Sequence, residues 1–182
     1  MASSTVLTKL TDAMNKKHIV NFARPFEPGT FTGYVLDVGA KFFLLASIDD
    51  GFEFEQYSVL RVADVRRLQS PAKYESFYKA ARRLRGDKMP RRIKVDLTNQ
   101  RSVVHSVSAH LLTVHFEMAS PDTCNIGRLI NSDSTGFELL EIAPGAKWDK
   151  KPRYFRFAGV TRIDLPGRYE KALLLVGGEG PD

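Results

Sequence analysis

The chain has one cysteine, Cys124, so it holds neither an intrachain disulfide framework nor an all-cysteine metal site. That usage fits a reducing, cytoplasmic setting. No stretch approaches the ~18 apolar residues needed to span a bilayer, and the opening MASSTVLTKLTDAMNKKH lacks an apolar core of signal-peptide length. A soluble, unexported protein with no membrane partner is expected. Signatures of catalysis are missing too: there is no G-x-S-x-G elbow, no Walker loop, no dinucleotide fingerprint, and no base local to Cys124. Cys-x-x-Cys, His-Glu-x-x-His and EF-hand spacings do not occur. His105, His110 and His115 are evenly spaced, but a step of five turns a helical side chain by about 140° and crosses to the other face of a strand. The locally acidic DDGFEFE (Asp49 to Glu55) reads as a turn between strands. The expectation is a non-enzymatic protein with no catalytic residue, no metal and no cofactor.

What is present is an ordinary globular composition of 182 residues, 43% hydrophobic and 26% charged, enough for one large domain or two small ones. Lysine and arginine outnumber the acids 27 to 21, a formal charge of +6, which favours an anionic partner. The excess is concentrated. Residues 82–94, RRLRGDKMPRRIK, hold seven basic side chains against the single acid Asp87.

The chain also repeats itself. At an offset of 94, Val20, Phe22, Gly33, Phe43, Leu45, Ile48 and Gly51 fall on Val114, Phe116, Gly127, Phe137, Leu139, Ile142 and Gly145. One residue inserted near Lys150 shifts the offset to 95, and RVADVRRLQSPAKYE (from Arg61) then lies over RFAGVTRIDLPGRYE (from Arg156) with seven identities in fifteen. Such a unit exceeds the ~20 to 50 residues of solenoid repeats and is long enough to close its own core. Two domains are expected: residues 1–85, then a basic linker over 86–96, a second domain over 97–176, and a frayed tail over 177–182.

In the first unit Ser3 or Ser4 can cap a helix whose apolar face is Val6, Leu7, Leu10 and Met14. Five segments rich in β-branched and aromatic residues follow: HIVNFA, FTGYVLDV, KFFLLASI, FEQYSVLRV and ADVRRLQ, separated by turn signals. The second unit repeats the order, with a helix near residues 98–108 and then LLTVHFEM, CNIGRLIN, GFELLEI, YFRFAGV and TRIDL. Each ends in a helix begun near Pro71 or Pro166. The fold class expected is mainly β with short helices (α+β): two tandem five-stranded barrels, each preceded by a helix, with Gly33 and Gly127 at sharp strand bends. One continuous β-sandwich is the rival.

This order of elements, with a glycine inside the second strand and Arg61 or Arg156 ahead of the last, resembles the Sm-like (SH3-like) small barrel and uncharacterised bacterial proteins built on it. The resemblance is architectural and covers both halves. It implies an RNA base pocket made from an Asp and an Asn between strands two and three and an Arg-Gly pair between strands four and five. Asp37 and Arg61 match in the first unit, Asn131 and Arg156 in the second; neither carries the full set.

Arg82, Arg83 and Arg85 end a helix, and Arg91, Arg92 and Lys94 follow a proline, so the cluster can meet successive phosphates of RNA or DNA. Its other reading is a solvated linker with cations that complement a helix C-terminus. Arg61, Arg66 and Arg67, with Arg162 and Arg168 in the second unit, either extend the basic surface or blunt a strand edge. Tyr74 and Tyr169, equivalent in the repeat, are read as rings that lock the terminal helices down. The functional expectation is nucleic-acid binding through this basic surface; the alternative is an adaptor or assembly scaffold that takes a protein partner along exposed barrel edges.

Overall fold

Val6, Leu7, Leu10 and Met14 recur at helical spacing and give α1 (Ala2–Lys16) one apolar face, which packs with Val20, Phe22, Phe43 and Leu45. The computed structural model describes residues 2–117 and 124–180. α1 already begins at Ala2, so Ser4 lies inside its first turn, and the side chain of Ser3 lies outside the described residues. The β-branched and aromatic runs follow as β1 (Ile19–Ala23), β2 (Phe31–Val38), β3 (Phe42–Ile48), β4 (Phe54–Arg61) and β5 (Arg66–Gln69), and then α2 (Glu75–Arg85). Gly86, left-handed at φ 75°, stops α2 and donates to the carbonyls of Arg82 and Arg83. The second repeat supplies α3 (Gln100–Ser106), β6 (Leu111–Phe116), β7 (Asn125–Ser132), β8 (Gly136–Glu141), β9 (Arg153–Arg156), β10 (Val160–Asp164) and α4 (Arg168–Gly177). Asn99 caps α3 by accepting from the amide of Ser102. The expected strand LLTVHFEM ends earlier, at Phe116, and its Met118 lies outside the described residues.

All strand pairs are antiparallel, and the order is β5-β1-β2-β3-β4-β10-β6-β7-β8-β9. The architecture is therefore mainly β with helices, and the two halves run in the same order: last strand, then first to fourth. The ten strands share one open sheet, because the free edge of β4 is taken by β10 of the other half, with Leu60, Val59 and Ser58 opposite Arg162, Ile163 and Asp164. Among the described residues neither half pairs its own fourth strand with its own fifth.

Fine features recur at the repeat offset. A β carbon on Gly33 would come 2.3 Å from the carbonyl oxygen of Ala46, and one on Gly127 would come 2.5 Å from that of Leu140, its equivalent. Only glycine permits this approach of β2 to β3 and of β7 to β8. Both pairs also shift register at matching points, between Val35 and Asp37 and between Leu129 and Asn131, and such bulges bend a sheet. A 3₁₀ turn joins the last two strands of each half, at Val62–Asp64 and at Phe157–Gly159.

The two cores are not separate. Phe43 and Leu45 of β3 face α1, whereas their neighbours Phe42 and Leu44 join Val59 in a cluster with Val103, Val104, Leu112, Phe137 and Leu139 of the second half. That is why FFLLASI is buried at every position: both faces of β3 are covered. Residues 86–96, expected as a basic linker, are exposed over their first half but dock on the core at their end. Ile93, Val95 and Leu97 alternate inward onto the shared core while Lys94 and Asp96 face out, the two-residue period of an extended chain lying on a surface. The tail expected to fray from Gly177 is partly held as well. Gly177 ends α4 and its carbonyl accepts from the Trp148 indole at 3.1 Å; Pro181 and Asp182 lie outside the described residues.

The seam between the halves is polar at its centre. Asp164, 1% exposed, takes the Nε2 of His115 at 2.9 Å and lies 3.0 Å from Nε of Arg162. Burial alone would raise this carboxyl, but the Arg162 charge and the His115 hydrogen bond overcome it and hold the pKa below the ordinary aspartate value. Arg24, whose side chain is wholly buried, meets Glu27 at 2.9 Å and Asp64 at 3.4 Å, and donates across the seam to the Thr161 carbonyl at 2.8 Å. A buried guanidinium is here matched by two carboxylates, as desolvation requires.

Candidate nucleic-acid interface

The basic segment divides once its side chains are placed. Arg82 is buried, donates through Nη2 to the Lys88 carbonyl and lies over the Tyr34 ring, 5.5 Å from its centroid. Arg85 reaches back to the β3–β4 turn, giving Nη1 to Gly51 and Nη2 to Phe52 at 2.9 and 2.6 Å and Nε to Asp87 at 3.0 Å. It is a clamp between α2 and that turn. Arg92 pairs with Asp37 at 2.6 Å. Arg83, Arg91 and Lys94 are exposed and carry no side-chain ion pair or hydrogen bond among the described residues, as does Lys88 beside them. These four are the cations available to an external polyanion. Their backbone is fixed at both ends, by the glycine stop of α2 and by Ile93 and Val95 in the core, and the hydroxyl of Tyr57 donates to the Arg91 carbonyl at 2.9 Å.

Most of the remaining sequence candidates are less available. Arg61 forks onto both carboxylate oxygens of Asp64 and lies 3.6 Å from Glu117, so it staples the 3₁₀ turn to its own strand. Arg66 donates to the carbonyls of Ala63 and Val65 at 2.7 and 3.0 Å. Arg67 is exposed on edge strand β5 with a positive φ of 53°. Arg162 belongs to the buried seam, and Arg168 is bound to Asp49, so neither extends a basic surface. The residues that match an Sm-like base pocket are also engaged internally: Asp37 by the Val38 amide and Arg92, Arg61 by Asp64, and Asn131 by the Ser132 amide. Arg156 stands apart from these. It is exposed on edge strand β9, and its half has Gly159 where Asp64 would stand.

One further expectation changes. Tyr74 and Tyr169 do not lock the helices down, being 58% and 51% exposed at the helix entrances. The structural anchor of that motif is the glutamate one residue on. Glu75 accepts from the Ile19 amide at 2.7 Å and binds His18, and its equivalent Glu170 accepts from Thr113 and from the Gly167 amide. Each glutamate thus ties its helix to the first strand of its own half. The histidines are separated, His105 on Ser132 at 2.6 Å and His115 on Asp164, and no group of three metal-ligating side chains occurs among the described residues. Cys124 is half-buried; burial, reinforced by Glu170 and Asp164, pushes its thiol pKa up, away from a reactive thiolate.

Coordinates also gather residues that the sequence keeps far apart. A cleft of about 400 Å³ is lined by Lys17 after α1, Tyr34 of β2, Lys79, Arg82, Arg83 and Gly86 of α2, and Asp87 and Met89 of the basic segment. Arg82 and Arg83 were legible as candidates; Lys17 and Lys79 carried no local signal. No helix among the described residues is long and apolar enough to cross a membrane. Comparison of the chain with models of known protein families, with curated proteins and with solved structures gave no match.

Proposed function

We propose that this is a non-enzymatic, cytoplasmic nucleic-acid-binding protein in which two Sm-like, SH3-like barrel units carry a basic docking surface between them. The barrel reading draws on the recurrence of strand order, glycine and bulge in both halves. The binding reading draws on one observation above all: Arg83, Lys88, Arg91 and Lys94 are exposed and unpaired on a stretch held between the end of α2 and Ile93 and Val95, which pack on the core. Cations on a backbone held at both ends lose less conformational freedom on meeting phosphates than cations on a free tether. Four of them reading phosphates give affinity with little base preference, since phosphate contacts position a strand and carry no sequence information. No aromatic residue lies between Lys79 and Lys94, so stacking is not part of this surface.

Fluorescence anisotropy with mixed-sequence single-stranded RNA, single-stranded DNA and duplex DNA, at low and at physiological salt, tests this reading. Binding that survives physiological salt and prefers one polymer supports it and names the class. Binding confined to low salt, or none, rejects it in favour of a protein partner. For such a partner the outer edges β5 and β9 are the open positions, each paired on one side only among the described residues.

A further inference from the structure

Among the described residues two arginines are buried, Arg24 and Arg82, and they are treated differently. Arg24 is neutralised by Glu27 and Asp64. Arg82, 4% exposed, has one carbonyl and Tyr34, whose ring it lies over and whose hydroxyl oxygen it approaches as a donor; its Nη1 is buried without a close hydrogen-bond partner, and no carboxylate pairs with it among the described residues. A desolvated guanidinium without a counter-charge is costly, and the structure keeps it at the wall of an open cleft. Three more cations line that cleft: Lys17, Lys79 and Arg83. The acid among its lining residues, Asp87, is taken by Arg85, and Lys79 is shared with Glu75 at 3.1 Å. The position is thus electropositive and short of one anion, and its volume of about 400 Å³ has room for a nucleotide-sized group.

We infer that the cleft seats a phosphate monoester, either the 5′-phosphorylated end of a strand or a free nucleotide. A monoester carries nearly two negative charges at neutral pH and three strong acceptor oxygens, against one charge on an internal phosphodiester, so it answers a buried guanidinium flanked by two ammonium groups and a second guanidinium better than chain phosphates do. Met89 and Tyr34 supply the apolar part of the wall. The seat rests on the nucleic-acid reading for its strand-end source alone; as a site for a free nucleotide it stands without it.

The test uses the full chain and matched RNA oligonucleotides that differ in a 5′-phosphate or 5′-hydroxyl, together with adenosine 5′-monophosphate, adenosine and inorganic phosphate followed by calorimetry. Expected is a preference of about tenfold or more for the phosphorylated end, the scale of one or two charge-assisted hydrogen bonds, with competition by the monophosphate and none by adenosine. Arg82→Gln and, separately, Lys17→Ser should remove the preference. Lys17→Ser alters an exposed side chain and serves where Arg82→Gln fails to fold. Lys88→Ser, Arg91→Ser and Lys94→Ser together should weaken both oligonucleotides and leave the end preference in place. Equal binding of both ends with no monophosphate binding overturns the seat while leaving polymer binding standing; monophosphate binding with no affinity for either oligonucleotide keeps the seat, assigns it to free nucleotides and rejects the polymer reading.

Discussion

The strand pair β4·β10 and the two outer edges of the sheet are made from equivalent residues in opposite circumstances. At the seam, Ser58, Val59 and Leu60 meet Arg162, Ile163 and Asp164, and all but Arg162 are buried. Their equivalents are Arg153, Tyr154 and Phe155 on β9 and Arg67, Leu68 and Gln69 on β5, of which only Phe155 and Leu68 are not exposed. The aspartate that anchors the seam has become a glutamine, and the serine opposite it an arginine. The same backbone edge is thus a core in one place and a charged rim in the other. Cationic side chains on short edge strands oppose edge-to-edge pairing, so the duplication joins its two halves once and ends.

The largest effect that would break this comparison is expected at Asp164. Asp164→Ala strips the seam of its most buried carboxylate, leaving His115 without that partner and Arg162 with Glu27 alone at 3.3 Å, and should cost about 3–5 kcal/mol in urea unfolding, whereas Gln69→Ala at the equivalent rim position should stay within about 0.5 kcal/mol. Equal costs would mean that the seam is not a structural centre. Next come the paired glycines: Gly33→Ala and Gly127→Ala each drive a methyl into a carbonyl oxygen, and each should lose about 1–3 kcal/mol, with similar values confirming that the halves are built alike. Acid titration of stability sharpens the contrast further. The Asp164 pKa is lowered in the folded state, so its contribution is present above the unfolded aspartate value and is lost as pH falls through the folded one. Asp164→Asn should remove that part of the acid-side slope, leaving the slope above the unfolded aspartate pKa unchanged. The smallest effect lies in the turn before β8, where the Thr135 amide and hydroxyl, the Gly136 amide and the Tyr154 hydroxyl hold the Asp133 carboxyl down to about 2. An NMR titration of its side-chain carboxyl checks this, and Tyr154→Phe should move the midpoint up slightly.

Much of the architecture was legible because it rests on local pattern. Apolar periodicity marked α1 and the strands, Gly86 marked the end of α2, and the internal offset marked the duplication. Joining the halves was not legible, since the pairing of β4 with β10 depends on which edge meets which, and backbone edges carry no sequence period. One trace of it was present: FFLLASI is apolar at every position but Ser47, which a one-faced barrel strand has no need to be. The basic segment was found correctly as a charge cluster, but its division into structural and free arginines depends on distant carbonyls and carboxylates at Gly51, Phe52 and Asp37. Its docking was partly written in the alternation Ile93, Val95, Leu97, which the surrounding charge obscured.

The most direct test of the functional account is the salt dependence of polymer affinity for the wild-type chain and for the Lys88→Ser, Arg91→Ser, Lys94→Ser variant. If these cations read phosphates, each loss should weaken binding across all sequences and flatten the log–log salt slope by about 1, roughly 3 in all. An unchanged affinity and slope in a variant that folds as the wild type does would contradict it.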